Sequence, residues 1–351
     1  MKNTIKQIGR YGRKTVKWTG ILLGGFLLVL VCSGLLFRLL SSEPEIPGEL
    51  VDLGDFRLHA KAVGQRNHKP TVVIEGGAGA PSEYYYWLGE LLKDSLRIIR
   101  YDRAGIGYSD PSPNPRDPET IAKELHTLLE TMGEEPPYLL AGHSYGGHYI
   151  KVFAGLYPEE VAGLVFLDSP HPDIDEWIDF PDSPGFVDAL YKLGVVAGDL
   201  GVLGILDRSF GPLLQAPGIP EEVTSKFTDF TRNGDYIRGY LEEEKGHEKL
   251  VNLSREANDF GDLPVRVFSG SALNEEALRK RGMDPEHIHQ ARIEMQKDMA
   301  RISSGGKVFF LPGGHITILS DKEQATQICE EILKLADYKA TTPLPNSLQS
   351  E

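Results

Sequence analysis

Cysteine is almost missing from this chain of 351 residues, which holds only Cys32 and Cys329. One lies in an apolar run and the other in a helical pattern, so no disulfide framework and no cysteine metal site is expected. Cys32 follows Val-Leu-Val rather than the small residue that precedes a lipid-accepting cysteine, which argues against lipidation. An excess of positive charge is missing too: the net charge is −14, and beyond residue 40 there are 30 basic against 51 acidic residues. Such a surface repels polyanions, so nucleic acid is not an expected partner. There is no internal repeat.

Acidic residues are absent from positions 1–40, which hold seven Lys/Arg, and residues 18–37 carry no charge of either sign. Twenty helical residues rise about 30 Å, the thickness of a bilayer's hydrocarbon core, so residues 18–40 read as a transmembrane anchor. Basic residues crowd the 1–17 side, whereas Arg38 stands among Glu43, Glu45 and Glu49 on the other. That bias sets a cytoplasmic N-terminus and a single-pass topology with the main domain outside the cytoplasm. The alternative is a cleaved signal peptide. The apolar run exceeds the roughly 7 to 15 residues of a signal core and no A-x-A site follows it, both of which favour the anchor. A polar linker at 41–49 then leads to a globular part at 50–337, and a tail at 338–351 has the composition of a flexible end.

Within the globular part, residues 50–63 alternate around Gly54-Asp55 like a hairpin. The runs at 71–75, 96–102, 137–142 and 161–168 are short and nearly continuously apolar, as strands buried on both faces are. Helical patterns at 83–93, 118–132 and 145–157 separate them, and the second begins at Asp117-Pro118, a cap followed by a residue suited to a first turn. This alternation predicts an α/β fold with a mostly parallel sheet covered on both sides. It stops between 171 and 258, a stretch too long to be a plain loop, which reads as an inserted helical cap. Strand signals return at 264–270 and 307–314, with helices expected at 285–302 and 321–335.

The stretch PYLLAGHSYGGHYI, residues 137–150, contains Gly142-His143-Ser144-Tyr145-Gly146, a Gly-x-Ser-x-Gly pattern between a strand and a helix. A serine on so tight a turn needs small residues two positions to either side and projects its hydroxyl from the sheet edge, which makes Ser144 the candidate nucleophile. A hydroxyl needs a base to take its proton. His315 follows the last strand through Pro-Gly-Gly and is that candidate; His143 and His148 read as packing or rim residues, His126, His287 and His289 as helix surface or core, and His59, His68 and His247 have no supporting context. For the acid that orients the base, Asp168 ends the 161–168 strand, while Glu275 and Glu276 are the alternatives after the 264–270 strand, whose loop lacks Asp. For the two oxyanion donors, the N–H groups of Gly77 and Tyr145 are the pairing, with Ala78 one residue from Gly77. Gly76 to Gly79 fit neither a phosphate loop nor a dinucleotide fingerprint, so no cofactor and no metal is expected.

These residues resemble the α/β-hydrolase superfamily. GHSYGG looks like its nucleophile elbow, EGGAGA stands where many members have His-Gly-x-Gly, YDRAGIGYSDP is similar to the loop after the fourth strand, and PGGHI resembles the histidine loop. More narrowly, the chain resembles bacterial lipase- or esterase-like serine hydrolases with one N-terminal anchor. The resemblance implies a serine hydrolase of a small-molecule or lipidic acyl substrate, an ester first, with a peptide, amide or C–C bond hydrolase and a non-catalytic surface binding protein as alternatives. Glu75 departs from the family's usual histidine ahead of the oxyanion loop.

Overall fold

The computed structural model describes residues 2–42, 44–181, 185–231 and 233–341. Eight strands form one sheet: β1 (Glu49–Asp52), β2 (Arg57–Val63), β3 (Thr71–Glu75), β4 (Ile98–Tyr101), β5 (Tyr138–His143), β6 (Val161–Leu167), β7 (Val265–Gly270) and β8 (Lys307–Leu311). Their spatial order is β1-β2-β4-β3-β5-β6-β7-β8. β2 runs antiparallel to β1 and β4, and every other pair is parallel.

The helices are α1 (Lys2–Leu40), α2 (Tyr86–Leu92), α3 (Pro118–Thr131), α4 (Gly146–Leu156), α5 (Ile174–Trp177), α6 (Val187–Asp199), α7 (Val202–Phe210), α8 (Glu221–Thr224), α9 (Asp235–Glu244), α10 (His247–Glu256), α11 (Glu275–Lys280), α12 (Pro285–Ala300), α13 (Thr317–Ser320) and α14 (Lys322–Thr341). Alternate residues of each central strand serve opposite layers, which is why the runs are continuously apolar. Val73, Leu140 and Phe166 pack with Leu125 of α3, Phe153 of α4 and Met299 of α12, whereas Val72, Ile74, Leu139 and Val165 pack with Leu88 of α2 and Ile328 and Ile332 of α14. Each such side chain, fully withdrawn from water, contributes about 1.5–3 kcal/mol. The expected cap at Asp117 forms: its carboxylate accepts from Thr120 N at 3.3 Å and Pro118 opens the helix.

The region 171–258 leaves the sheet after β6 and holds α5 to α10 before the chain returns at β7. At the N-terminus the basic segment and the apolar run are one 39-residue helix, α1. Its stretch from Lys14 to Leu40 is long and apolar enough to cross a membrane. At the other end α14 continues to Thr341, so residues 338–341 are helical rather than flexible; no helix breaker stands before Pro343. The rest of the expected tail, 342–351, lies outside the described residues, as does Glu43 of the linker.

Close approach of α4 to β3 fixes the site. A Cβ on Gly146 would stand 2.3 Å from the Glu75 carbonyl oxygen, one on Gly142 would stand 2.4 Å from Gly146 O, and one on Gly147 would stand 2.1 Å from Ser169 Oγ. Gly155, on the same helix, has open space around it. Two substitutions in α4 therefore carry opposite signs. Gly146→Ala is expected to destabilise by about 1–3 kcal/mol through overpacking, and Gly155→Ala to stabilise by about 0.5–1 kcal/mol through reduced chain entropy. Urea midpoints of the two variants check this, and equal effects would contradict the packing described.

Candidate active site

Parallel register brings several strand ends to one edge. Glu75 pairs with Gly142, His143 with Leu167, and Leu167 with Phe268. The chain turns sharply as it leaves this edge at Ser144, whose φ is 52°, and at Asp168, whose φ is 46°. Among the described residues these are the only non-glycine positions with positive φ. Such backbone costs about 1–3 kcal/mol per residue and persists only where surrounding contacts impose it. Ser144 N donates to Leu167 O at 3.0 Å and Ser144 O accepts from Gly147 N at 3.0 Å, so the serine is tied both to β6 and to the first turn of α4.

Asp168 is buried and faces His315: its Oδ2 lies 2.7 Å from His315 Nδ1. The other oxygen, Oδ1, accepts from Gly270 N at 2.9 Å, Arg292 Nη2 at 3.0 Å and Ser269 Oγ at 3.2 Å. Burial disfavours its charge, but the His315 hydrogen bond, the Arg292 guanidinium and the Gly270 N–H outweigh that and hold its pKa down at about 2. An ionised carboxylate on Nδ1 fixes the imidazole tautomer and leaves Nε2 as the basic nitrogen. The His315 side chain is 49% exposed. Among the described residues no hydrogen bond joins it to Ser144; such bonds are commonly long in unliganded sites and tighten with substrate. Glu275 and Glu276 lie elsewhere, exposed on α11 and paired within it to Arg279 and Lys280.

Gly77 lies against Ser144: a Cβ on it would stand 3.0 Å from the serine Cβ. Its N–H, however, donates to the Tyr85 hydroxyl at 2.9 Å. Tyr85 Oη is in turn 3.1 Å from His143 Nδ1, and His143 Nε2 is 3.1 Å from the His315 carbonyl oxygen. A carbonyl only accepts, so Nε2 carries the proton and Nδ1 accepts from Tyr85. The chain of donors then runs one way, from Gly77 through Tyr85 and His143 to the His315 backbone. The Gly77 N–H, expected as an oxyanion donor, is engaged by Tyr85 here, and His143, expected to pack or to line the rim, is a buried strut. Ala78, next along, lines a small cavity with Tyr145, Glu244 and His247.

Behind the loop at 76–79, Glu75 and its neighbours are gathered by Arg103. Nη1 donates to Glu75 Oε1 and Gly76 O, both at 2.6 Å, and Nη2 to Gly77 O at 2.7 Å. Nε and Nη2 also hold Glu243 of α9, at 2.7 and 2.8 Å. Burial works against the guanidinium charge, but Glu243 and Glu75 raise its pKa well above the ordinary value. Tyr101 Oη donates to Glu75 as well. Burial raises the pKa of Glu75 against the Arg103 charge and the Tyr101 hydroxyl, which lower it, so the residue that departs from the expected histidine is a buried carboxyl group tied to both.

Four of the other histidines have local structural partners. His59 bonds Asp102 in the core at 2.8 Å, His126 bonds Glu160 at 2.9 Å, and His148 bonds Ser254 Oγ at 2.8 Å. His247 of the cap stacks on the Tyr145 ring with centroids 4.7 Å apart. His68 and His287 are exposed and His289 is half-buried on α12. Sequence reasoning missed Tyr85, Arg103, Glu243 and Arg292. Of these only Arg103 left a signal, in the Asp-Arg pair that follows β4.

Comparison with known proteins agrees with this architecture. Residues 69–196 match the family model described as alpha/beta hydrolase fold. An AB hydrolase superfamily protein of Gibberella zeae is 24% identical over 283 residues, 76% of this chain and 87% of that one. A proline iminopeptidase of Lactobacillus helveticus is 35% identical over 126 residues, 34% of this chain and 42% of the relative. Several curated relatives are much longer than the matched part, which spans 18% of a Hormonema carpetanum protein named as a transporter. Among solved structures, one described as a lipase from Acinetobacter baumannii superposes with a TM-score of 0.58 at 17% identity, covering 89% of this chain and 97% of that one. A thermophilic esterase from Thermogutta terrifontis gives 0.51 at 20% identity, covering 84% and 98%. The family match and these superpositions give the chain the α/β-hydrolase fold.

Buried histidines give this fold a pH signature. Burial, and the neighbouring His315, push the pKa of His143 down to about 3; burial, and Lys151, do the same to His148. The unfolded chain protonates them near the ordinary value of about 6.5, so their stabilisation is complete above that pH and is lost as pH falls toward 3. Between pH 7 and 5 the unfolding free energy is expected to fall with a slope approaching about 2.7 kcal/mol per pH unit, and His148→Gln to roughly halve that slope. Urea titrations at pH 7, 6 and 5 test it, and a flat midpoint across the three would contradict it.

Proposed function

We propose that this chain is a membrane-anchored serine hydrolase that cleaves carboxylic esters through an acyl-enzyme, with its catalytic domain outside the cytoplasm. One observation carries the reading: a carboxylate held at Nδ1 of His315 stands at the same sheet edge as a serine in left-handed backbone. A merely structural histidine does not need both. Ser144 Oγ attacks the substrate carbonyl carbon as His315 Nε2 takes its proton. Asp168 remains ionised and stabilises the imidazolium. The tetrahedral oxyanion is held by the Tyr145 N–H and, since the Gly77 N–H is engaged by Tyr85, by that of Ala78. As the C–O bond breaks, His315 returns the proton to the leaving alkoxide; water then repeats the sequence on the acyl-enzyme and regenerates Ser144.

The proline iminopeptidase relative favours a second reading, amide cleavage by the same residues. Parallel assays with p-nitrophenyl butyrate and proline p-nitroanilide separate the two. For the ester, Ser144→Ala is expected to lower kcat/KM by at least about 10³-fold, and Asp168→Asn by up to about 10⁴-fold through loss of the productive tautomer. Unchanged ester turnover in Ser144→Ala would reject the mechanism, and turnover of the anilide alone would select the amide reading.

A further inference from the structure

The cap does not sit apart from the anchor. A Cβ on Gly34 of α1 would stand 2.2 Å from Leu200 O, one on Gly201 would stand 2.1 Å from Gly34 O, and one on Gly204 would stand 2.5 Å from the Phe37 ring. Arg38 also donates to Asp199 O. Backbone-to-backbone contact between glycines is how helices associate where no hydrophobic drive separates them from solvent, as within lipid.

This contact fixes a depth. Gly34 lies three residues before Phe37, the end of the uncharged run, hence about 4.5 Å inside it at 1.5 Å per residue. If α1 spans the bilayer, residues 200–202, which touch Gly34, lie at that depth too. Neither α6, of 13 residues, nor α7, of 9, is long enough to cross, and the two meet at 92°. The corner therefore enters and turns back.

Its surface is suited to lipid. Phe186, Leu190, Leu193 and Val196 form one exposed apolar stripe along α6, continued by Leu206 and Phe210, the last 85% exposed. Asp188, Lys192 and Asp199 follow a separate stripe at intervals of four and seven residues. An apolar face flanked by a charged one is the pattern of a helix lying in the membrane interface, buried about 5–10 Å.

We propose that the α6–α7 corner of the cap is seated in the outer leaflet beside α1, with acyl chains covering Leu193, Val196 and Phe210. The proposal rests on the anchored reading above and deepens it. Tyr191 of α6 packs on Tyr240 of α9 with ring centroids 5.3 Å apart, and Tyr236 of α9 donates to Gly79 O in the oxyanion loop. The lipid-facing helix thus lies one helix away from the candidate site, an arrangement suited to acyl substrates that reside in the membrane.

The test uses full-length protein in phosphatidylcholine nanodiscs. In a Cys32→Ala, Cys329→Ala background, single cysteines introduced by Leu28→Cys, Lys192→Cys, Leu193→Cys and Phe210→Cys are spin-labelled, and collision with oxygen is compared with collision with an aqueous nickel chelate. The expected result is oxygen-dominated relaxation at 28, 193 and 210 and nickel-dominated relaxation at 192. Nickel accessibility at 193 and 210 together with a lipidic 28 would overturn this proposal alone. An aqueous 28 would overturn the anchored reading and this proposal with it. Labels at 193 and 210 shielded from both reagents would show the face covered by protein, a second copy included, and would overturn lipid contact.

Discussion

The left-handed turn at Ser144 is the constraint on which the site is built. A residue with a Cβ resists φ of 52°, so the turn persists because the strand before it and the helix after it are both locked. Burial of β5 on two faces locks the strand, and the approach of Gly146 to the Glu75 carbonyl locks the helix. Asp168 repeats the device one strand away, its carboxylate tied to the backbone of β7 and to α12 through Arg292. Two strained residues at adjacent strand ends are then held by the same sheet, and their separation is set by strand spacing rather than by loops.

The candidate oxyanion loop depends on a different kind of restraint. Its carbonyls at Gly76 and Gly77 face Arg103, and the same guanidinium reaches Glu243 in the cap. Removing one partner of such a buried set leaves an uncompensated charge, which is far costlier than any one of the bonds suggests. Arg103 consequently couples the position of the cap to that of the loop, while Tyr85 and His143 couple the loop to the segment that carries His315. The candidate nucleophile stands between these two struts.

Much of this was legible in the chain. Strands such as TVVIE and GLVFL declared their double burial by unbroken apolarity, and Gly142, Gly146 and the serine between them declared the turn. Asp168 was legible because a carboxylate ending a buried strand needs a partner. Other features were not, for a physical reason: they depend on contacts far apart in sequence. Arg292 meets Asp168 across 124 positions and Glu243 meets Arg103 across 140. The engagement of the Gly77 N–H was hidden because its acceptor is a tyrosine on the next helical turn, in a run of three. The exposure of Leu190, Leu193, Val196 and Phe210 on α6 and α7 was not legible either, because it depends on how the inserted region packs.

The central claim is that Ser144 is an activated nucleophile, and covalent trapping tests it most directly. Full-length protein is treated with a fluorophosphonate at pH 7.5 and digested, and the adduct is mapped by peptide mass spectrometry. The account predicts a single stoichiometric adduct on Ser144, formed at least about 10³-fold more slowly in His315→Ala. Folded wild-type protein that stays unlabelled, or that carries the adduct at another residue, would contradict it.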